Sequence, residues 1–146
     1  FWQMICRSFL ATAEKQKLPA EGVFHGTFET PDVQPGVKTI DDAWQWIPYE
    51  NWLVHASITG EQIRMIMAEA GQVRYSDRAL YGLDPATLEP ARRYRILFNS
   101  YDSQSGGRRL LRLREILQEA ESKTTLIPVN TREALIDYFA DRAEVK

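Results

Sequence analysis

The segment IPYENWLVHASITGEQI, residues 47–63, places Tyr49 between a proline and a glutamate, just before an apolar run and a Thr-Gly pair. The run Trp52–Ile58 has the β-branched and aromatic content of a strand. Thr59 is a favourable N-cap residue, and apolar residues recur after it at helical spacing: Ile63, Ile66, Met67 and Ala70. The segment therefore predicts a strand and then a helix. It leaves two interpretations of Tyr49 open, an ordinary loop residue or a residue held at a rim to contact a ligand.

Upstream of this segment, the sequence predicts a helix, a strand and a loop. Apolar residues recur at helical spacing from Trp2 until Pro19 ends the pattern. Residues 22–28 (GVFHGTF) are typical of a strand. Residues 30–38 (TPDVQPGVK) are typical of a loop because they contain two prolines and a glycine.

Two further helices are predicted from their N-terminal caps. Thr39 is followed three residues later by Asp42, so we expect a short helix over residues 39–47 that ends before a proline. Asn130 and Glu133 have the spacing of a capping box for the last helix, which would turn three apolar residues inward: Leu135, Ile136 and Phe139.

The remaining segments predict strands, a loop and a helix. Residues 92–101 (RRYRILFNSY) indicate a strand, residues 124–129 (TTLIPV) a short buried strand, and residues 79–85 (ALYGLDP) a further short strand. Residues 102–107 (DSQSGG) are expected to form a mobile polar loop. Residues 108–121 (RRLLRLREILQEAE) indicate a helix with one apolar stripe: Leu110, Leu113, Leu117 and Ala120.

Strands interleaved with helices favour an α+β fold, a mixed sheet with helices packed on its faces. A chain of 146 residues with 44% hydrophobic content is long enough for one domain with a real core and too short to suggest two. We therefore expect residues 1–146 to form a single domain. Because the first residues, Phe-Trp-Gln-Met, begin in mid-helix without a cap, we also expect this domain to be excised from a longer chain.

Charge and hydropathy argue against two classes of partner. The chain carries 18 basic and 20 acidic residues, a net charge of −2, which gives no reason to expect a nucleic acid polymer. No apolar run approaches the roughly 20 residues that a membrane helix needs.

The sequence offers little for catalysis or metal binding within the chain. His25 and His55 are the only histidines, far apart and each inside a predicted strand, so buried or rim positions are expected rather than metal ligation. Cys6 lies on the apolar stripe of the first helix and is expected to be a buried thiol. No Gly-x-Ser-x-Gly motif is present. We therefore predict no catalytic residue and no metal site in this chain.

One glycine pair and two arginine-rich stretches leave alternatives open. Gly106 and Gly107 precede a predicted helix start, where backbone N–H groups bind an anion in some proteins, although a simple turn is the commoner outcome. The arginines of residues 91–95 and 108–114 resemble phosphate contacts, but the spacing of Arg109, Arg112 and Glu115 is typical of a solvated helix face.

Three segments, in order along most of the chain, resemble one family. GVKTIDDAWQWIPYENWLVHASITGEQI resembles the 5′-nucleotidase pattern of Gly-x-Ile/Val-Thr, Pro-Phe-x-Asn, a strand and Thr-Gly before a helix. YRILFNSYDSQSGGRRL resembles a Tyr-Arg-Val stretch that ends in an aromatic residue and a Gly-Gly-Asp-Gly loop, and NTREALIDYF is also similar. The chain resembles the C-terminal, substrate-specificity domain of the 5′-nucleotidase / 2′,3′-cyclic phosphodiesterase family of bimetallic phosphoesterases.

The resemblance implies a nucleoside or nucleotide ligand whose base is stacked between two tyrosines. It implies six substrate-binding positions in this chain: Tyr49, Asn51, Tyr101, Gly106, Gly107 and Arg108. It also implies hydrolysis by a separate N-terminal metallophosphatase domain with two divalent metal ions, so that this fragment alone would not be catalytic. By the same resemblance, the protein would be periplasmic or secreted.

Two departures from the family pattern keep other functions open. Arg108 stands where the family has an aspartate, and the family's Gly-Gly-x-Ile-Arg stretch aligns with residues 24–29 (FHGTFE), which lack the arginine. One alternative is the same superfamily acting on a small sulfur or phosphate ester. Another is a non-catalytic interaction module, which predicts both tyrosines buried with no cleft between them and three tryptophans in the core or a subunit contact: Trp44, Trp46 and Trp52.

Overall fold

The structure, a computed structural model, describes residues 1–27, 36, 39–73 and 77–143. The helices and strands in chain order are α1 (Trp2–Lys15), β1 (Gly22–Gly26), α2 (Ile40–Trp46), β2 (Trp52–Thr59), α3 (Gly60–Gly71), β3 (Arg78–Tyr81), β4 (Arg93–Asn99), α4 (Ser100–Ser103), α5 (Leu111–Gln118), β5 (Thr125–Asn130) and α6 (Thr131–Ala143). Short 3₁₀ turns cover Pro85–Thr87, Gly106–Arg108 and Ala120–Ser122. The predicted end of β1 at Phe28 and the predicted loop 30–38, apart from Gly36, lie outside the described residues.

The five strands form one mixed sheet in the order β3-β1-β4-β2-β5. β1 and β4 are parallel, and the other three neighbouring pairs are antiparallel. The register of β2 with β4 runs from Leu53 opposite Asn99 to Thr59 opposite Arg93. The predicted α+β class with a mixed sheet is therefore confirmed.

Alternate side chains of the central strands enter two separate cores, because successive residues of a strand point to opposite faces. In β2, Leu53 packs with apolar residues of α1, α2 and α6 on one face. Val54, Ala56 and Ile58 pack with apolar residues of α3 and α5 on the other face. The sheet is thus the middle of three layers.

Cys6 lies in the core beneath α1, as the apolar stripe predicted. Burial disfavours the charged thiolate and raises the pKa of Cys6 to about 12. The thiol therefore stays protonated at neutral pH.

The predicted caps are confirmed at three helices. Thr39 and Asp42 form a capping box at α2, and Thr59 forms one with Gln62 at α3. At α6, Asn130 Oδ1 accepts the Glu133 N–H at 2.9 Å and the Asn130 N–H donates to a Glu133 carboxylate oxygen at 3.4 Å. Local sequence was sufficient here because both partners of a capping box lie within one turn.

The sequence-based predictions for β5 and for the end of α5 are wrong in one detail each. β5 is an edge strand rather than a buried one: Ile127 is fully buried, whereas Leu126 is 57% exposed. Pro128, which has no N–H to donate, is suited to such an edge. Ala120, predicted on the apolar stripe of α5, is exposed because the helix ends at Gln118 and a 3₁₀ turn follows.

Gly60 sets the distance between α3 and the turn before β4. A Cβ atom at Gly60 would overlap the backbone carbonyl of Glu89. We expect Gly60→Ala to lower the free energy of unfolding by about 1–3 kcal/mol, measured by urea denaturation. Gly71→Ala in the last position of the same helix is the matched control, since a Cβ there meets nothing within 4 Å. Equal unfolding midpoints for Gly60→Ala and the wild type would contradict this packing argument.

Candidate functional site

Tyr49 and Tyr101 lie at the same edge of the sheet. Tyr49 shortly precedes β2 and Tyr101 closely follows β4, and these two strands are antiparallel neighbours. The start of β2 and the end of β4 therefore meet at one edge. A hydrogen bond joins the two segments directly, since the Trp52 N–H donates to Ser100 Oγ at 2.9 Å.

Both tyrosine side chains are open to solvent. Tyr49 is 68% exposed and Tyr101 is 46% exposed. The interaction-module alternative predicted that both would be buried, and that prediction is wrong. Of the tryptophans it invoked, Trp46 packs against Phe1 and Phe139, whereas Trp44 and Trp52 remain largely exposed: 52% and 45%.

The segment that carries Tyr49 is attached to the start of α6. The Asn51 carbonyl accepts the Thr131 N–H at 2.7 Å, and the Ile47 carbonyl accepts Arg132 Nε–H at 2.9 Å. Asn51 itself is half-buried. The predicted roles of Tyr49 and Asn51 as ligand contacts remain predictions.

Tyr101 lies on a helical turn that the sequence did not predict. The strand ends at Asn99 rather than at residue 101, because the Asn99 side chain caps α4 by accepting the Asp102 N–H at 2.8 Å. Asp102 and Ser105, expected in a mobile polar loop, are buried. The expectation of a polar loop over residues 102–107 is therefore wrong at both of these positions.

A buried ion pair involves Asp102, the residue that follows Tyr101. Asp102 accepts from Arg78 Nη2 at 2.7 Å and from Asn99 Nδ2 at 3.0 Å, and the Asp102 and Arg78 side chains are only 3% and 5% exposed. The pair joins α4 to the edge strand β3, so the turn that carries Tyr101 is tied to the sheet through charged hydrogen bonds in a low-dielectric interior.

His25 belongs to the same buried region. Its Nδ1 lies 3.0 Å from the Gly26 carbonyl oxygen, and its ring contacts Phe9 edge to face. Burial lowers the pKa of His25, while the Gly26 hydrogen bond and the charge of Asp102 oppose the shift and the charge of Arg78 adds to it. The shift favours the neutral form of the imidazole. His55 is also buried, with Nε2 3.1 Å from the Pro19 carbonyl oxygen.

Gly106 and Gly107 wrap around the Tyr101 ring. A Cβ atom at Gly106 would overlap ring atoms Cδ2, Cε2 and Cζ of Tyr101. At Gly107, which has φ +69°, a Cβ would lie 3.3 Å from Tyr101 Oη and 3.2 Å from Arg109 Nε. The glycine pair is therefore needed to let the backbone pass close to the ring, and its predicted contact with a ligand remains a prediction.

Arg108 and Arg109 present two exposed guanidinium groups beside this turn. Within the described part of the chain, neither of them forms an ion pair. Arg108 has φ +57°, a left-handed conformation that is uncommon for a residue with a side chain. Arg112 and Glu115, predicted on a solvated face, are exposed with charged atoms 3.9 Å apart.

The N-terminus of α5 is occupied by a carboxylate of the chain itself. Glu69 of α3 accepts the Arg112 N–H at 2.8 Å and the Leu113 N–H at 3.2 Å. The sequence left open an external anion at this helix start, and that possibility is excluded for these two N–H groups. The reason is a contact between residues far apart in sequence, which no local pattern reveals.

A surface groove of about 560 Å³ lies between α4, α5 and the strands β2 and β5. Its lining includes Gln104, Arg114, Gln118 and Leu126, but neither Tyr49 nor Tyr101. The groove is therefore separate from the two exposed tyrosines.

The described residues contain no group of three His, Cys, Asp or Glu side chains that could hold a metal ion. The family resemblance places the two metal ions in a separate domain, so they remain an expectation about that domain and not about these residues. Over the same residues, no helix is both long and apolar enough to cross a bilayer.

The chain folds as a three-layer α+β domain with a five-stranded mixed sheet. No protein-family model and no curated protein matches the chain, but solved structures do. The NAD nucleotidase of Haemophilus influenzae aligns with 95% of this chain and 30% of its own, with a TM-score of 0.71 at 13% identity. The 5′-nucleotidase precursor of Thermus thermophilus aligns with 96% of this chain and 32% of its own, with a TM-score of 0.69 at 15% identity.

A third similar structure is a putative 5′-nucleotidase from Staphylococcus aureus in complex with α-ketoglutarate. It aligns with 94% of this chain and 32% of its own, with a TM-score of 0.65 at 14% identity. The chain thus spans about a third of the length of these proteins. The predicted resemblance to the 5′-nucleotidase C-terminal domain is confirmed for the fold.

The buried ion pair of Asp102 with Arg78 yields a stability prediction. Asp102→Asn removes the negative charge from the buried pair with Arg78, so we expect a loss of about 1–3 kcal/mol in the free energy of unfolding. The control is Asp141→Asn, which removes a pair with Lys15 whose side chains are 52% and 54% exposed. We expect a much smaller loss in that control, because an exposed pair is solvated and screened by salt. Similar losses for the two variants in urea denaturation would refute a special role for the buried pair.

Proposed function

We propose that this chain is the substrate-binding domain of a 5′-nucleotidase-like phosphoesterase, and that Tyr49 and Tyr101 hold the base of a nucleoside or nucleotide between their rings. The observation that carries the proposal is the position of two exposed tyrosines at one sheet edge, on segments joined by the hydrogen bond from Trp52 to Ser100. The fold shared with three nucleotidase structures supports it.

The chemistry of the two residues suits this role. A base stacked on an aromatic side chain gains about 1–3 kcal/mol, largely independent of base identity. A tyrosine has few rotatable bonds, so it loses little conformational entropy when it binds. Asn51 and the backbone of Gly106 and Gly107 would supply hydrogen bonds at the edge of the ligand.

The proposal assigns hydrolysis to a separate domain with two divalent metal ions. This chain would bind the nucleoside part of the substrate and orient its phosphate, which lowers the entropic part of the barrier. The share of the similar structures that the chain covers, about a third, supports such a division of labour. We further propose a role in nucleotide catabolism in the periplasm or outside the cell, by family resemblance.

Substitution of either tyrosine tests the proposal. We expect Tyr49→Ala and Tyr101→Ala each to weaken adenosine binding by about 5- to 100-fold through the loss of one stacking surface. The measurement is an NMR or calorimetric titration of the chain with adenosine. Leu126→Ala, which removes an exposed apolar side chain elsewhere, should leave the affinity unchanged. Absence of binding by the wild type at millimolar adenosine, or wild-type affinity in both tyrosine variants, would exclude the base-stacking role.

One observation favours a second candidate, a more anionic ligand such as a small phosphate or sulfur ester or a nucleotide with an additional phosphate. Arg108 and Arg109 are exposed, follow the glycine pair that packs on Tyr101, and have no ion-pair partners among the described residues. Two unneutralised guanidinium groups favour phosphate or sulfate over a neutral sugar edge.

A comparison of two ligands separates the candidates. We expect the double variant Arg108→Glu/Arg109→Glu to weaken binding of adenosine 3′,5′-bisphosphate by at least about tenfold while it changes adenosine affinity by less than about twofold. Arg114→Glu, at another exposed arginine, is the control. Equal effects on both ligands would remove the case for an anionic substrate.

A further inference from the structure

Arg132, the second residue of α6, has its guanidinium buried beside the segment that carries Tyr49. The residue is only 3% exposed. Its Nε–H donates to the Ile47 carbonyl at 2.9 Å, its Cζ lies 3.6 Å from the centre of the Trp44 ring, and its Nη1 lies 3.6 Å from Glu50 Oε1. These contacts bracket Tyr49, because Ile47 and Trp44 precede it and Glu50 follows it.

The segment has few other attachments. Over the residues that the structure describes, no backbone hydrogen bond involves Pro48, Tyr49 or Glu50. The nearest backbone bonds are those of Ile47 with Ala43 and of Asn51 with Thr131. Arg132 contacts this segment at its start, through the Ile47 carbonyl, and again at the Glu50 side chain.

The contacts of Arg132 differ in strength. The Glu50 side chain is 72% exposed and its oxygen is too distant for a short charged hydrogen bond, so this ion pair contributes little. The hydrogen bond to the buried Ile47 carbonyl and the stacking on Trp44 are desolvated on the guanidinium side and are therefore stronger. They hold the start of the segment, just before Tyr49.

An arginine that served packing alone at this position would lower the stability of the fold. Arg132 Nη2 is buried without a hydrogen-bond partner among the described residues, and a buried polar group without a partner is destabilising. An apolar residue of similar length would join α6 to α2 without that penalty. What an apolar side chain could not supply is the hydrogen bond that Arg132 donates to the Ile47 carbonyl.

We propose that Arg132 is a positioning residue that fixes the backbone of residues 47–50 so that the Tyr49 ring is held ready for its ligand. The inference rests on the proposed function, since it assumes that Tyr49 binds a base. Arg132 acts through Tyr49 and does not itself contact the ligand.

A double-mutant cycle with Tyr49 tests the proposal on the full chain. We expect Arg132→Met to weaken adenosine binding by about 3- to 30-fold, because a mobile Tyr49 loses part of the stacking. In a Tyr49→Ala background the same substitution should cause no further loss. Arg142→Met is the matched control: Arg142 lies on the same helix and stacks on Tyr138 at 3.4 Å, far along the helix from Tyr49. This control should leave adenosine affinity unchanged.

Two results would overturn the proposal. One is wild-type affinity in Arg132→Met, and the other is an equal loss in the wild-type and Tyr49→Ala backgrounds, which would mean that Arg132 acts through the fold as a whole. If Arg132→Met does not fold, Arg132→Lys enters the same cycle, because lysine keeps the charge but lacks the planar group that stacks on Trp44.

Backbone ¹⁵N relaxation separates this inference from the proposed function. If the wild type does not bind adenosine, the proposed function fails, and the NMR order parameters of the Tyr49 and Glu50 N–H groups then decide the positioning role alone. Lower order parameters there in the Arg132 variant, with β2 and α6 unchanged, support positioning of the segment. Unchanged order parameters at these residues overturn it.

Discussion

The antiparallel pairing of β2 with β4 is the constraint on which the candidate site depends. The register runs over seven residue pairs, from Leu53 opposite Asn99 to Thr59 opposite Arg93. Because both strands are central and bury both faces, a slip of one residue would exchange the two cores. The pairing therefore fixes where β2 starts and β4 ends, and with them the two segments that carry the exposed tyrosines.

A buried arginine lies next to each of these two segments. Arg78 pairs with Asp102 beside Tyr101, and Arg132 binds the Ile47 carbonyl before Tyr49. Guanidinium groups are costly to bury, and in some proteins a buried ionic group specifies one geometry at the expense of stability. The two rings differ in what else holds them. Tyr101 is also packed against the backbone of Gly106, whereas Tyr49 is 68% exposed and gains little from packing.

The fold was largely predictable from the sequence because its signals are local. The caps at Thr39, Thr59 and Asn130 and the apolar periodicities define most helices and strands correctly. The exposure of the two tyrosines was also foreseen, from a resemblance and not from periodicity. Single positions were missed where the deciding contact is distant in sequence.

The contacts of the two buried arginines could not be predicted for the same reason. Arg78 and Asp102 are 24 residues apart, and Arg132 and Ile47 are 85 apart. Residues 102–107 look like a polar loop because Asp, Ser, Gln and Gly favour turns. Only the fold brings an arginine to Asp102 and so converts that stretch into an ordered turn. The one available signal was Asn99 three residues before Asp102, which has the spacing of a helix cap.

The turn after α4 determines which side of the Tyr101 ring is free. Ser105, Gly107 and Arg108 all have positive φ, and the buried Ser105 fixes the turn by accepting the Arg108 N–H at 2.7 Å and the Leu110 N–H at 3.0 Å. Left-handed conformations cost about 1 kcal/mol or more at residues with side chains, and here they let the backbone close over one side of the ring at Gly106. If the ring stacks on a base as proposed, stacking alone accepts any flat heterocycle, so discrimination among ligands would come from polar groups near the ring. Arg109 is one such group, since its Nε and the Tyr101 hydroxyl both lie close to Gly107.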